Sequence, residues 1–375
     1  MKNSRHLKNQ SWIKLAIFAV LGLLCIPYVM SAPVESLACL GLAGSLSLLD
    51  LSKANTDDVT KPIIEQAAGQ YPEMTELAAH QLGDGVLSYE TLLRIGYPSA
   101  AFHDMGAGVA ASKSQTKLQR FDCFPFQGRV ECPRHVANNW RRGGPAGYFA
   151  FEALGIMKSA LFTLAKQIWY GRGADGKGFP GLKNFTAYGS TATDPLTGRS
   201  YSLAINAGGT TANGASSCYL VVSDEQNVEI QLGSGSVFEL PEPRIGDMLD
   251  ANGNRVEALI SVLQGYAGLQ TPNLHCVRRI FNLTNESTHT MSDALLARAI
   301  KEFPTGVKPT SIWMSANQRY QLQISRTVTL FGQGSTRPDQ PVLAPMPTQY
   351  DGIPIYATDA IGDTDTIESQ ALAEE

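Results

Sequence analysis

The sequence lacks the clusters of cysteine and histidine that bind metal ions. No two of its six histidines fall at metal-ligand spacing, and none of its six cysteines belongs to a Cys-x-x-Cys pair. Cysteines this scattered in a chain of 375 residues also argue against a disulfide framework. We therefore expect no metal and no cofactor, and reduced thiols at Cys25, Cys39, Cys123, Cys132, Cys218 and Cys276.

Charge is scarce as well. Charged residues make up 17% of the chain, against the usual quarter or so, and the formal net charge is −4. No stretch is a basic tract, so sequence-specific nucleic-acid binding is not indicated, although loose contact with DNA stays open. No histidine accompanies a serine or cysteine nucleophile motif, so we expect no enzyme.

Apolar residues and turn formers are plentiful. Apolar residues account for 43% of the chain, which is enough to bury a sizeable core, and there are 35 glycines and 20 prolines. No internal repeat is visible. This composition suits a chain with many turns and much of its surface covered by other protein.

The N-terminus has the layout of a secretory signal peptide. Four basic residues among the first 14 precede an apolar run, Leu15 to Val29, which is short for a membrane span. The alternative is a gene start set too early, with the protein beginning nearer Leu46.

The stretch GRGADGKGFPGL, from Gly171 to Leu182, resembles part of a phosphate-binding loop. Such a loop follows a strand and opens a helix, so that the helix N-terminus faces the phosphates. Here a long helical pattern comes before the glycines, Gly178 stands where Ser or Thr should bind magnesium, and Pro180 hinders a new helix. We therefore interpret it as a turn that leaves a helix.

Extended segments and one long helix dominate the first half of the chain. Short helices are predicted before residue 82, with Asp57 or Asp58 and later Pro72 at their starts. Residues 86–143 read as a long β-hairpin with few apolar residues near its tip. A helix between Gly143 and Gly171 is predicted by apolar residues at helical spacing. These are Ala146, Phe149, Ala153, Met157, Ala160, Leu161, Leu164 and Ile168.

The second half is rich in turns and strands. Hairpins are predicted around Asp194–Gly198 and at Asn252-Gly253. Ser292 caps a predicted helix that ends before Pro304, and a buried strand, a second helix and a closing strand follow. The acidic residues 362–375 are predicted to form a mobile tail, with solvent as the partner of Asp363 and Asp365.

The order of these parts resembles the major capsid protein of tailed bacteriophages, whose fold is shared with the herpesvirus shell. The resemblance is carried by ETLLRIGYPSAAF, the helix GYFAFEALGIMKSALFTLAKQIWYG and its glycine-rich exit, then DANGNRVEALISVLQGYAGLQ and NLHCVRRIFNLT. It continues through SDALLARAIKEFP, SIWMSANQRYQLQISRT and YDGIPIYATDAI, and covers roughly residues 46–362.

The resemblance implies an α+β fold with an N-terminal arm, an extended β-loop, a long spine helix, and peripheral and axial domains. Mapped onto this sequence, the parts are a leader-like segment 1–44, which is a mis-set start or is removed; the arm 45–88; the β-loop with flanking strands 89–143; the spine helix and peripheral domain 144–205; the axial domain with a β-rich insertion 206–345; and the closing strand and acidic tail 346–375.

The resemblance also implies a function and partners. These are self-assembly of pentamers and hexamers into an icosahedral shell around double-stranded DNA, a scaffold, a portal, no membrane, and assembly in the cytoplasm of a bacterial host before release as the virion capsid. The β-loop, at about 99–136, would lie across a neighbouring subunit. The subunit-interface residues expected there are Phe102, Lys113, Lys117, Arg120, Phe121 and Arg129.

Two other functions stay open at this point. The signal-like N-terminus would suit an exported surface or binding protein, which the expected reduced thiols do not favour. A nucleotide-using enzyme would depend on Gly171 to Lys177 alone. Because capsids assemble inside the host cell, the resemblance favours a mis-set start or a removed leader over export.

Overall fold

The computed structural model describes residues 70–83, 85–172, 176–233, 241–332 and 343–369. All of them fall within the unit Leu46–Glu375. The leader-like segment 1–44, the helix starts predicted at Asp57 or Asp58, and residues 370–375 of the acidic tail lie outside the described residues.

The described elements include helices and strands in both halves of the chain. Those of the first half are α1 (Glu73–Glu76), β1 (Ala79–Gln81), β2 (Ser88–Gly96), β3 (Gln115–Asp122), β4 (Phe124–Pro133), α2 (Arg134–Asn138), α3 (Gly144–Tyr170), α4 (Leu182–Phe185), β5 (Thr191–Thr193), β6 (Ser200–Ser202) and β7 (Ala204–Asn206). Those of the second half are β8 (Ser216–Val221), β9 (Glu229–Leu232), β10 (Arg244–Leu249), β11 (Arg255–Gln270), β12 (Val277–Leu283), α5 (Asp293–Lys301), β13 (Ser311–Met314), α6 (Ala316–Gly332), β14 (Gln349–Tyr350) and β15 (Ile353–Ala357), with a 3₁₀ turn at Leu274–Cys276.

A five-stranded sheet is organised around the long strand β11. Strands β10, β4 and β9 all pair antiparallel with β11 at successive positions, and β1 adds to β9 in parallel. The β10–β11 hairpin turns at Asn252-Gly253, as predicted, with Gly253 at φ 83°. Asp250 Oδ1 accepts hydrogen bonds from the backbone N–H of Asn252 and Asn254 in this turn.

The predicted long hairpin divides between two structures. Its first part forms the two-stranded ribbon β2–β3. Its last strand, β4, pairs instead with β11 over all ten of its residues, from Phe124 to Pro133. The sequence did not indicate this pairing, because β4 and β11 are more than a hundred residues apart along the chain.

A six-stranded sheet has the order β14-β15-β13-β8-β12-β7. Strands β8, β12 and β13 are buried along their whole length, and β12 buries Arg278 and Arg279 as well as apolar residues. The segment 206–345, expected to be one axial domain, supplies strands to both sheets, and the closing strand β15 pairs in parallel with β13. The hairpin predicted at Asp194–Gly198 is the separate pair β5–β6.

Helix α3 is the longest described helix, with 27 residues. It begins after Gly143, has Pro145 in its first turn, and ends at Gly171, whose φ of 71° stops the helix. The predicted apolar stripe faces the interior from Phe149 onward, whereas Ala146 is exposed. The second half of α3 packs in the central core between residues of both sheets.

Trp169, near the end of α3, joins three parts of this core. Its ring lies 5.1 Å from the ring of Tyr219 on β8 and 5.3 Å from that of Trp313 on β13. Its Nε1 donates a hydrogen bond of 2.8 Å to Oε1 of Glu73 on α1, and Thr358 Oγ1 donates to the same oxygen. Glu73, in the described part of the N-terminal arm, is thus attached both to α3 and to the segment that follows β15.

The C-terminal segment 361–369, which we call the clasp, packs onto the six-stranded sheet. Both carboxylate oxygens of Glu368 accept hydrogen bonds from Arg279 at 2.7 and 3.0 Å, and Lys183 lies 3.1 Å away. Asp363 accepts from Ser315 Oγ at 2.5 Å, and the backbone of Asp365 pairs with that of Ala215.

The prediction that residues 362–375 form a mobile, solvated tail is therefore wrong for residues 362–369. The physical reason is that the partners of these acidic residues come from parts of the chain that are distant in sequence. Burial raises the pKa of Asp365 against the lowering effects of Lys183 and Tyr170. For Glu368, burial opposes ionisation, but hydrogen bonds from Arg279 and the charges of Arg279 and Lys183 lower its pKa overall.

A buried carboxyl group on β9 makes stability depend on pH. Glu229 is 5% exposed, and burial, reinforced by the charges of Glu225 and Asp224, raises its pKa to about 7 despite a hydrogen bond from Gln231. The folded chain therefore holds this proton more firmly than the unfolded chain. Its contribution to stability is complete below the ordinary pKa of 4.5 and is lost as the pH rises towards and past 7.

We expect Glu229→Gln to flatten the fall in unfolding free energy between about pH 5 and 8, because the amide has no proton to release. Urea unfolding at several pH values measures this. Glu90→Gln, a change at an exposed residue of β2 with the same change in charge, is the control and should keep the slope of the parent chain. An unchanged slope in Glu229→Gln would contradict the assignment.

Candidate subunit interface

The ribbon formed by β2 and β3 exposes apolar side chains to solvent. Its register places Leu92 directly opposite Leu118, and these side chains are 65% and 60% exposed. Glu90 faces Arg120 on the same side of the ribbon. An isolated two-stranded ribbon is only marginally stable in water, so an apolar cross-strand pair left uncovered marks a surface for contact.

The tip loop, residues 97–114, connects the two strands without regular secondary structure. Phe102 and Met105 stand fully out from it, with exposed fractions of 109% and 105%. The two ends of the loop are joined because the backbone N–H of Ser99 donates to Ser112 Oγ at 2.8 Å, and the two hydroxyls lie 3.1 Å apart. The apolar side chains are therefore presented on a closed loop.

The base of the ribbon is attached to the five-stranded sheet through Cys123, the residue between β3 and β4. Its backbone N–H donates to the carbonyl of Leu87 at 2.8 Å, and its thiol lies 3.8 Å from the carbonyl oxygen of Gln231. Burial, followed by the charge of Asp122, raises the pKa of this thiol to about 11. Cys123 is thus an anchoring residue and an unreactive thiol.

The sequence-predicted interface residues fall into three groups. Phe102, Lys113 and Lys117 are exposed on the tip loop and ribbon. Arg120 is exposed and bonds Asp122 at 2.7 Å. The other two differ from the expectation.

Phe121 and Arg129 do not belong to the exposed ribbon surface. Phe121 is 8% exposed and lies at the base of the ribbon, two residues before Cys123. Arg129 is exposed, but it lies on β4 within the five-stranded sheet, where it pairs with Glu131 at 2.8 Å. We therefore leave both out of the proposed surface.

Sequence reasoning missed Leu92, Leu118 and Met105. The signal that could have found the leucines is the register of β2 with β3, which brings both onto one face. That register could not be derived because the intervening loop is long and irregular.

The glycine-rich stretch after α3 is not arranged to hold phosphate. Gly171 and Gly181 approach each other so closely that a Cβ on either would collide with the backbone of the other. Gln167 Nε2 also donates to the carbonyl of Phe179, which closes the turn. These glycines allow two stretches of backbone to touch at the end of a helix, as the interpretation of a turn predicts.

Metal and thiol chemistry find little support in the described ranges. Among them, no group of three or more His, Cys, Asp or Glu side chains could hold a metal ion. Cys123, Cys132, Cys218 and Cys276 are buried free thiols, whereas Cys25 and Cys39 lie outside the described residues.

Helix α3 is long and apolar enough to cross a membrane, a test that core helices also pass, and its second half lies in the central core.

Comparison with known proteins decides the family. The sequence matches the family described as major capsid protein GP7 over residues 55–367, which is most of the chain. The chain belongs to this capsid protein family. It is a structural protein of the phage capsid. Among curated proteins, none matches the sequence.

The fold agrees with this family. A solved chain of bacteriophage Epsilon15 is similar with a TM-score of 0.51 at 15% identity, over 77% of this chain and 87% of that one. The capsid of bacteriophage JBD30 is similar with a TM-score of 0.45 at 10% identity, over 75% and 88%. The Epsilon15 likeness confirms the predicted α+β capsid fold, and the exported-protein alternative is not favoured.

Proposed function

We propose that the ribbon and tip loop of this capsid protein lie across a neighbouring subunit in an icosahedral shell of pentamers and hexamers. The observation that carries this proposal is the Leu92–Leu118 pair, which stands uncovered on a two-stranded ribbon. Covering it against another copy removes apolar surface from water, at about 25 cal/mol for each Å². Contacts of this size are weak singly, but they act together when each subunit makes many.

The remaining parts of the proposal follow from the family. The shell encloses double-stranded DNA, and its assembly uses a scaffold and a portal in the cytoplasm of the host. A net charge of −4 suits loose contact with DNA, because firm phosphate contacts would oppose release of the genome. The chain performs no catalysis.

Assembly of the full chain tests the proposal. We expect the parent chain to form shells, tubes or rings of subunits, and Leu92→Ser/Leu118→Ser to stay as small soluble species, because its ribbon no longer gains from being covered. Size-exclusion chromatography and negative-stain electron microscopy measure this.

The matched control is Leu196→Ser. Leu196 is 71% exposed in the β5–β6 turn, away from the ribbon, and should assemble as the parent does. Circular dichroism must show that all three proteins are folded. Normal shells from the ribbon variant, or a stable monomer of the parent chain under all conditions, would overturn the proposal.

A further inference from the structure

An aromatic pocket lies between α2 and the first turns of α3. It has a volume of about 660 Å³ and is open to solvent, and its apolar wall includes Val136, Trp140 and Phe151. Phe151 is 66% exposed and Val136 is 45% exposed. Exposed apolar side chains around a cavity of this size are typical of a site that receives another group.

The pocket is held in shape by close backbone packing. A Cβ at Gly147 would collide with the carbonyl oxygen of Arg142, so only glycine allows the start of α3 to lie against the preceding turn. Gly143 and Gly144 both have positive φ in that turn. Trp140 packs edge-on against Tyr148 at 5.4 Å, which fixes its ring. The pocket is therefore formed before any ligand arrives.

The rim of the pocket is basic. His135, Arg141 and Arg142 line it. Neither arginine has an ion pair with any carboxylate among the residues that the structure describes. The site thus offers an apolar floor and cationic edges.

The tip loop carries the complementary chemistry. Phe102 and Met105 are its two fully exposed large side chains, and Asp104 lies between them. An apolar pair flanking a carboxylate matches an apolar floor flanked by guanidinium groups.

We propose that the aromatic pocket of one subunit receives Phe102 and Met105 from the tip loop of a second copy, while Asp104 pairs with Arg141 or Arg142. This inference rests on the proposed function and specifies where the ribbon of one subunit ends on the next. The apolar side chains supply most of the attraction, and the charge pair selects the orientation of the loop.

Photo-crosslinking in assemblies tests the inference directly. The full chain is made with benzoylphenylalanine in place of Phe102, mixed with ¹⁵N-labelled parent chain, assembled and irradiated. Mass spectrometry of crosslinked peptides should join residue 102 of one chain to the segment 135–151 of the other isotopic type. The probe placed at Leu196 is the control and should not label that segment.

The other possible crosslinking results show whether the inference alone fails or the proposed function fails with it. Crosslinks to a different segment of another copy would overturn the inference and leave the proposed function intact. Crosslinks to the probe's own chain, or to packaged DNA, would also overturn the inference. If the parent chain forms no assembly, the proposed function and the inference both fail.

Exchange of charge gives a second test. We expect Asp104→Arg, and separately Arg141→Asp/Arg142→Asp, to lower the yield of the 102-to-pocket crosslink about tenfold, as for a loss of one charge pair. The combined variant should recover most of the yield, because opposite charges again face each other. Failure of the combined variant to recover, with all variants folded, would contradict the pairing of Asp104 with these arginines.

Discussion

Glu368→Gln is expected to lower the free energy of unfolding by about 3–5 kcal/mol, because it leaves a buried guanidinium without its counter-charge. The Arg279 side chain is 2% exposed, and both oxygens of Glu368 accept its hydrogen bonds. The same change also removes the partner of Lys183. Urea unfolding followed by tryptophan fluorescence measures the loss, since Trp169 and Trp313 lie in the core.

A double variant separates the effect of losing the ion pair from the effect of leaving one buried charge unpaired. Arg279→Met/Glu368→Met should be clearly more stable than Glu368→Gln, because replacing both members of a buried ion pair by apolar groups is often neutral. Asp247→Asn at the exposed Arg255–Asp247 pair is the control and should cause no measurable change. Equal stability of Glu368→Gln and the parent chain would show that the clasp is not held by this pair.

The pH dependence of this pair has a definite sign. Because the pKa of Glu368 is lowered in the folded chain, its contribution is present above the ordinary pKa of 4.5 and is lost as the pH falls through the lowered value. As the pH falls, the parent chain should therefore lose the stability that it has in excess of Glu368→Gln. The contribution of Glu229 to stability has the opposite pH dependence.

Trp169→Ala is expected to cost about 3–5 kcal/mol of unfolding free energy, through the cavity that it leaves among Tyr219 and Trp313. The same substitution removes the N–H that donates to Glu73, a carboxyl group with no exposed surface. Burial already raises the pKa of Glu73 against the hydrogen bonds from Thr358 and Trp169, so loss of the indole should raise it further.

Trp169→Phe separates the two effects. It keeps most of the ring packing but lacks the donor, so it should cost less than Trp169→Ala while still raising the pKa of Glu73. Thermal unfolding followed by circular dichroism measures stability, and NMR of a side-chain-labelled Glu73 measures the pKa. Stability of Trp169→Ala within about 1 kcal/mol of the parent would mean that the ring is not central to the core.

Local sequence patterns predicted many of the helices and turns, but they did not predict the contacts between distant segments. The apolar stripe from Phe149 to Ile168 and the turn at Asn252-Gly253 are set by neighbouring residues, so both could be derived. The pairing of β4 with β11 could not, since each strand alone is compatible with several partners. The docking of Glu368 on Arg279 joins residues 89 positions apart and leaves no periodic signal.

The candidate interface was predicted in outline only. The exposed tip at Phe102 was expected, whereas Leu92 and Leu118 required the register of the ribbon. The pocket at Trp140 and Phe151 depends on the close approach of Gly147 to the turn before it, which composition does not reveal.

The one-residue junction at Cys123 has a mechanical consequence. A neighbour that pulls on the ribbon acts on the first residue of β4, and β4 is joined to β11 by a ladder along all ten of its residues. A pull along the strand axis is shared by the whole ladder in shear, so no single hydrogen bond must give way first. In the proposed shell, strain between subunits is thereby spread through the five-stranded sheet of each one.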